Sequence, residues 1–164
     1  MYKIRGMKLS KSYLSIILLF MLVFPWISIA VDKHLYHPSL LLLDLVGKWF
    51  TFWAIGLRLF TAWIRQVTKP AFTAKNIFHL DGEECQVIIK ELGYANICLG
   101  ATAIISLFIP QWRVAAAFAG GLYMGIAGIN HIIKRPETPN EVVAMVSDIF
   151  ILIVMAVYIV SSMM

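Results

Sequence analysis

Arg58 and Asp148 each lie inside a stretch apolar enough to cross a bilayer, and no other feature narrows the fold as much. An ionised side chain at that depth costs several kcal/mol, about 3 on insertion scales, unless water or a partner receives it. Two such residues of opposite sign are expected to fold against each other and anchor a helix bundle. Composition points the same way. Of the 164 residues, 60% are hydrophobic and 14% charged, whereas a soluble domain carries about 25% charged residues. That is too little polar surface for a water-facing globule, so the chain reads as an all-α transmembrane bundle.

Five apolar runs define the expected spans. The first, Tyr13 to Val31, follows a basic head of Lys3, Arg5, Lys8 and Lys11 and is long enough to cross. It reads either as a retained anchor or as a signal segment, since Ser28-Ile29-Ala30 sets small residues where a signal peptidase cuts. The second is Trp49 to Ile64, behind an apolar lead-in from Leu40 to Val46 that Asp44 interrupts. The third, Leu92 to Ile109, ends at Pro110, and Asp81 with Glu84 predicts a capping box that starts its helix in water. The fourth is Val114 to Ile133. The fifth, Val142 to about Ser161, opens on Thr138-Pro139-Asn140-Glu141, a Thr cap with Pro at N1 and Glu at N3. The chain then divides into an anchor or signal segment, 1–31, and a four-helix transmembrane domain, 32–164.

Alternating these spans from a cytoplasmic N-terminus puts ten of the fourteen basic residues inside: Lys3, Arg5, Lys8, Lys11, Arg65, Lys69, Lys75, Lys90, Lys134 and Arg135. Lys33, Lys48 and Arg113 fall outside, and Arg58 falls within the membrane. This asymmetry obeys the positive-inside rule and sends the C-terminus outside. The net charge of +5 therefore marks topology. It forms no basic stripe interleaved with aromatics, which excludes nucleic acid as a partner. Cys85 and Cys98 share one predicted helix about 19 Å apart, too far to bridge.

Three helices carry small and polar stripes. On the second these are Gly47, Thr51, Ala54, Arg58, Thr61 and Arg65, spaced by four and three, with Trp49, Phe50, Phe52, Trp53, Leu57, Phe60 and Trp63 left for lipid. The third offers Gly93, Asn96, Gly100 and Ala103. The fourth offers Ala117, Gly121, Met124, Gly128 and His131, with a GxxxG at Gly121 and Gly125 that serves helix packing or a homo-oligomer.

Counting depth from the charged helix ends puts Arg58 about 10 Å in from Arg65, Asp148 about 9 Å inside the fifth helix and Asn96 about 8 Å beyond Glu91. These three are expected to share a layer, with Glu91, Asn130 and His131 one turn nearer the cytoplasm. No comparable polar group is expected in the outer half. Two readings stay open. Either Arg58 and Asp148 form a structural ion pair supported by Asn96, or the cluster lines a cytoplasmic pocket. In the second, Arg58 binds an anionic or carbonyl group while His131 or Glu91 exchanges protons.

Weaker features complete the list. His34-x-x-His37 is a poor metal site, having two ligands and no carboxylate or Cys beside them, and no metal is expected. The loop Pro70 to Phe78 suits a short helix at the cytoplasmic interface, an anchor or a lid.

The stretch 65–78, Glu91-Leu-Gly-Tyr-Ala-Asn96, Gly128-Ile-Asn-His131 and Asn140-Glu141 with Asp148 resemble an uncharacterised family of small bacterial integral membrane proteins, broadly similar to DoxX-like four-helix proteins. The resemblance spans about Phe52 to Tyr158. It implies a four-helix core in the bacterial inner membrane, with Tyr13 to Val31 as an added anchor or signal. Some DoxX-like proteins are subunits of quinone-linked oxidoreductases, which makes quinone the one cofactor the resemblance suggests. Three functions follow: an accessory or small-ligand-binding subunit that is not a stand-alone enzyme and meets a membrane-protein partner, a quinone-linked redox subunit, or a small-solute or proton carrier.

Overall fold

A computed structural model describes residues 9–78, 80 and 82–164, with only the backbone at Asn76. Lys3, Arg5 and Lys8 of the basic head, and Asp81 of the predicted cap, lie outside these residues. The described chain is all helix: α1 (Lys11–Tyr36), α2 (42–68), a short α3 (70–78), α4 (Glu84–Ile105), α5 (Pro110–Lys134, entered through a 3₁₀ turn) and α6 (Pro139–Met163). Four of them, α1, α4, α5 and α6, are long and apolar enough to cross a membrane. The protein is thus a membrane-embedded helical bundle. α2 is the exception to the five expected spans: Lys48, Arg58 and Arg65 dilute its hydropathy, although it is as long as the others.

α2 is the middle of the bundle, and its neighbours explain how a helix with that composition is accommodated. It runs antiparallel to α1, with Trp53 Nε1 donating to Ser28 Oγ at 3.0 Å and the Trp53 ring packed 4.7 Å from Phe24. Its opposite side meets α4 backbone to backbone: a Cβ on Gly100 would stand 2.9 Å from the Gly56 carbonyl oxygen and 3.0 Å from Phe60 N. Ile55 fills the space over Gly120 of α5, and Tyr158 of α6 lies on Gly47. From Thr51 to Leu57 the helix widens to π geometry, which turns Ala54, Ile55 and Gly56 inward in succession. A helix packed on one face could bury no three consecutive residues; this one is surrounded.

The predicted stripes hold where they were drawn. Gly47, Thr51, Ala54 and Arg58 are buried on α2, Gly93, Asn96, Gly100 and Ala103 on α4, and Ala117, Gly121, Met124 and Gly128 on α5. The GxxxG face of α5 is taken up within the chain, since Gly121 and Gly125 lie against Met155 and Leu152 of α6. The aromatic face of α2 departs from expectation. Phe50 is fully buried between Trp26 and Phe150, and Trp53 meets Phe20 and Phe24. Aromatic rings suit lipid and a neighbouring helix equally, so composition alone did not reveal that α1 covers them.

The helix starts divide in the same way. Thr138 caps α6 with its hydroxyl on the Glu141 N–H, and the Glu141 carboxylate returns to the Thr138 N–H, a complete capping box. α4 instead begins at Glu84, which is its first residue and not its third, with no side-chain cap. The 70–78 segment is helical as expected, and it buries Pro70, Thr73 and Ala74 against the end of the bundle.

Candidate functional site

Arg58 reaches across from α2 to α6. Its Nη2 donates to Asp148 Oδ1 at 2.6 Å and to Ser147 Oγ at 2.9 Å, while Nη1 points to Met21 Sδ of α1 at 3.6 Å. Both charged side chains are nearly buried, Arg58 at 9% and Asp148 at 6% exposure. The Ser147 hydroxyl donates in turn to the Ala144 carbonyl, which holds its oxygen toward the guanidinium. Tyr13 of α1 lies against the same guanidinium from the bundle end. One ion pair therefore ties α1, α2 and α6 together.

The pair does not sit in a packed core. It forms the floor of a cavity of about 180 Å³ that runs from Arg58 and Asp148 toward the end of the bundle where α3 lies. Phe72, Thr73 and Ile77 of α3 contribute to its wall, so this short helix covers the opening in addition to lying at the end of the helices. His131 lines it within electrostatic reach of Asp148. Arg65 stands at its edge near two rings, 5.9 Å from Tyr13 and 4.8 Å from Phe72.

Of the six residues singled out from the sequence, four border this cavity and two do not. Arg58, Asp148, Asn96 and His131 line it. Glu91 and Asn130 are exposed on the outer faces of α4 and α5. Asn96 also sits at a different depth from the ion pair. Its Nδ2 donates to Gln66 Oε1 at 2.7 Å, and Gln66 is eight residues, about 12 Å, further along α2 than Arg58. The shared layer failed because Glu91 was used as a depth marker. Gly93 packs on Gln66 and Val67, which places Glu91 beyond the end of α2 and lowers everything counted from it.

Three contributors escaped sequence reasoning. Gln66 follows Arg65 on a helix read for its charges, Ser147 adjoins Asp148, and Tyr13 passed as the first residue of an apolar run. Gln66 and Ser147 each adjoin a charge in the sequence, a signal that was there to find; Tyr13 carried no such mark. The half of the bundle away from the cavity also holds a polar cluster that was not expected. Asp32 at the far end of α1 is buried to 2% exposure, accepting from Lys48 Nζ at 2.7 Å and Trp49 Nε1 at 2.8 Å of α2. His37 Nδ1 meets its other oxygen, so this member of the His34/His37 pair bridges to a carboxylate across the turn. Asp32 directly follows the first apolar run, which was bounded at Val31, although α1 continues to Tyr36.

A helical membrane bundle with a charged pair at the floor of a small, largely apolar cavity is the class that fold and site define. The profile of a family of unknown function (DUF6790) matches residues 11–163, and the chain belongs to that family. The match takes in α1 as well as the helices behind the resemblance first noted. Comparison with curated proteins and with solved structures returned no match.

Proposed function

We propose that this protein is an accessory or binding subunit of a membrane system, and that the cavity between α1, α2, α4, α5 and α6 holds a small ligand. The observation that carries this reading is a cavity where a bundle needs packing. Native interiors leave few voids larger than a water molecule, and a site walled by five helices with Arg58, Asp148, Asn96 and His131 on it is costly to keep open for structure alone. A volume of about 180 Å³ accepts a single ring; an engineered cavity of about 150 Å³ takes benzene. Native mass spectrometry of the protein extracted in mild detergent is expected to show a bound small molecule whose occupancy Asn96→Leu lowers. A species that always runs at the bare protein mass would refute the ligand site. A co-purified quinone would move the assignment to the redox subunit that the DoxX resemblance suggests, with Arg58 and His131 on the quinone carbonyls.

The cavity end faces the cytoplasm in this reading, with α2 as a fifth crossing and the C-terminus outside. The support is the distribution of charge: Lys11, Lys69, Lys75, Lys90, Lys134 and Arg135 all belong to helix ends or links at that end, where positive residues stay on the cytoplasmic side. In a Cys85→Ser, Cys98→Ser background, His34→Cys should react with a membrane-impermeant maleimide on intact cells, and Lys75→Cys only after permeabilisation. The reverse pattern would invert the topology and open the cavity outward.

A further inference from the structure

We infer that the ligand is a small carboxylic acid, bound as its anion, with a ring-sized apolar body that carries a hydrogen-bond donor. This rests on the reading of the cavity as a ligand site and adds the chemical class. Two observations carry it. The first is the charge balance of the walls. Arg58 is already matched by Asp148, so it offers little to an incoming anion. Arg65 has no acidic partner among the described residues. Tyr13 and Phe72 lie within cation–π reach of its guanidinium, at 5.9 and 4.8 Å. Its N–H fork has the geometry that receives a carboxylate through two parallel bonds. One unmatched positive charge calls for one negative charge. A dianionic phosphate would bring a second into a largely apolar cavity whose floor already holds Asp148.

The second observation is a buried acceptor with nothing to accept. Asn96 is 3% exposed, its Nδ2 is bonded to Gln66, and its Oδ1 has no partner. An unsatisfied buried polar atom costs about 1–3 kcal/mol, and the usual account is a missing group that satisfies it. On the same cavity as Arg65, Oδ1 calls for an O–H or N–H on the ligand's body. Ile17, Leu59, Met124 and Ala127 add an apolar wall toward a ligand, beside Thr61, Thr73, Tyr123 and His131.

Full-length protein in mild detergent, titrated calorimetrically at neutral pH, tests this with 4-hydroxybenzoate, benzoate, phenol and inorganic phosphate. Saturable binding of 4-hydroxybenzoate is expected, with benzoate several-fold weaker and phenol and phosphate at least tenfold weaker. Arg65→Gln should weaken 4-hydroxybenzoate at least tenfold, and Arg65→Lys, which restores the charge without the fork, should recover part of it. Asn96→Leu should erase the advantage of the hydroxyl over benzoate. Phenol binding as well as the acid, or Arg65→Gln binding unchanged, would overturn the inference. A neutral molecule found in the cavity by mass spectrometry would overturn the acid while leaving the ligand site standing, whereas no binding and no co-purified species would remove both.

Discussion

Asp148→Ala is expected to lower stability by about 3–5 kcal/mol, the usual cost of removing one partner from a buried ion pair. The expected readout is a fall in the SDS fraction needed to unfold the protein from maltoside micelles. The cause is Arg58. Its guanidinium is 9% exposed, and after the substitution its remaining acceptors are the Ser147 and Tyr13 hydroxyls and the Met21 thioether, all neutral. Arg58→Met alone should cost comparably, by stranding the carboxylate. The double variant Arg58→Met with Asp148→Leu should recover most of the loss, because it leaves no buried charge and fills similar volume. Additive losses would mean that water in the cavity already solvates each charge, and that the pair contributes little to holding α2 on α6.

Gly100→Val should be the most damaging single change outside the charged site, at about 3 kcal/mol, the upper end of over-packing costs. A side chain there meets the Gly56 carbonyl oxygen and Phe60 N, both backbone, so no rotamer change can make room. The helices would have to separate along a contact that holds the central helix in place. Ala95→Val, on the exposed face of the same helix, provides the control and should stay within about 0.5 kcal/mol. Equal effects at the two positions would show that α2 and α4 approach each other less closely than the structure has it.

The inward faces were legible because small residues at spacings of three and four have one dominant meaning in a bilayer: they let backbones approach. The pairing of Arg58 with Asp148 was legible because the cost of a lone charge is large and of known sign. Depth was harder. It depended on taking charged residues as membrane borders, and Glu91 on an exposed face of α4 marks no border. The covering of α2 by α1 was hidden for another reason. Phe50 and Trp53 look the same to a sequence whether they face acyl chains or Phe24. A polar pocket was one of the two open readings, but its shape and volume left no trace in composition, since an empty space is set by how five helices meet.

The central position of α2 also bears on how the protein is made. Its weak hydropathy and its arginine give it little reason to stay in the bilayer when it leaves the ribosome. α1 precedes it and supplies Met21, Asp32 and an aromatic flank at once. The counter-charge comes ninety residues later, on the last helix. The newborn chain must therefore carry an unneutralised guanidinium, in the care of α1 or of the insertion machinery, until α6 is complete. The ion pair is in this sense the closing step of assembly, and the first helix is the escort that makes the wait possible.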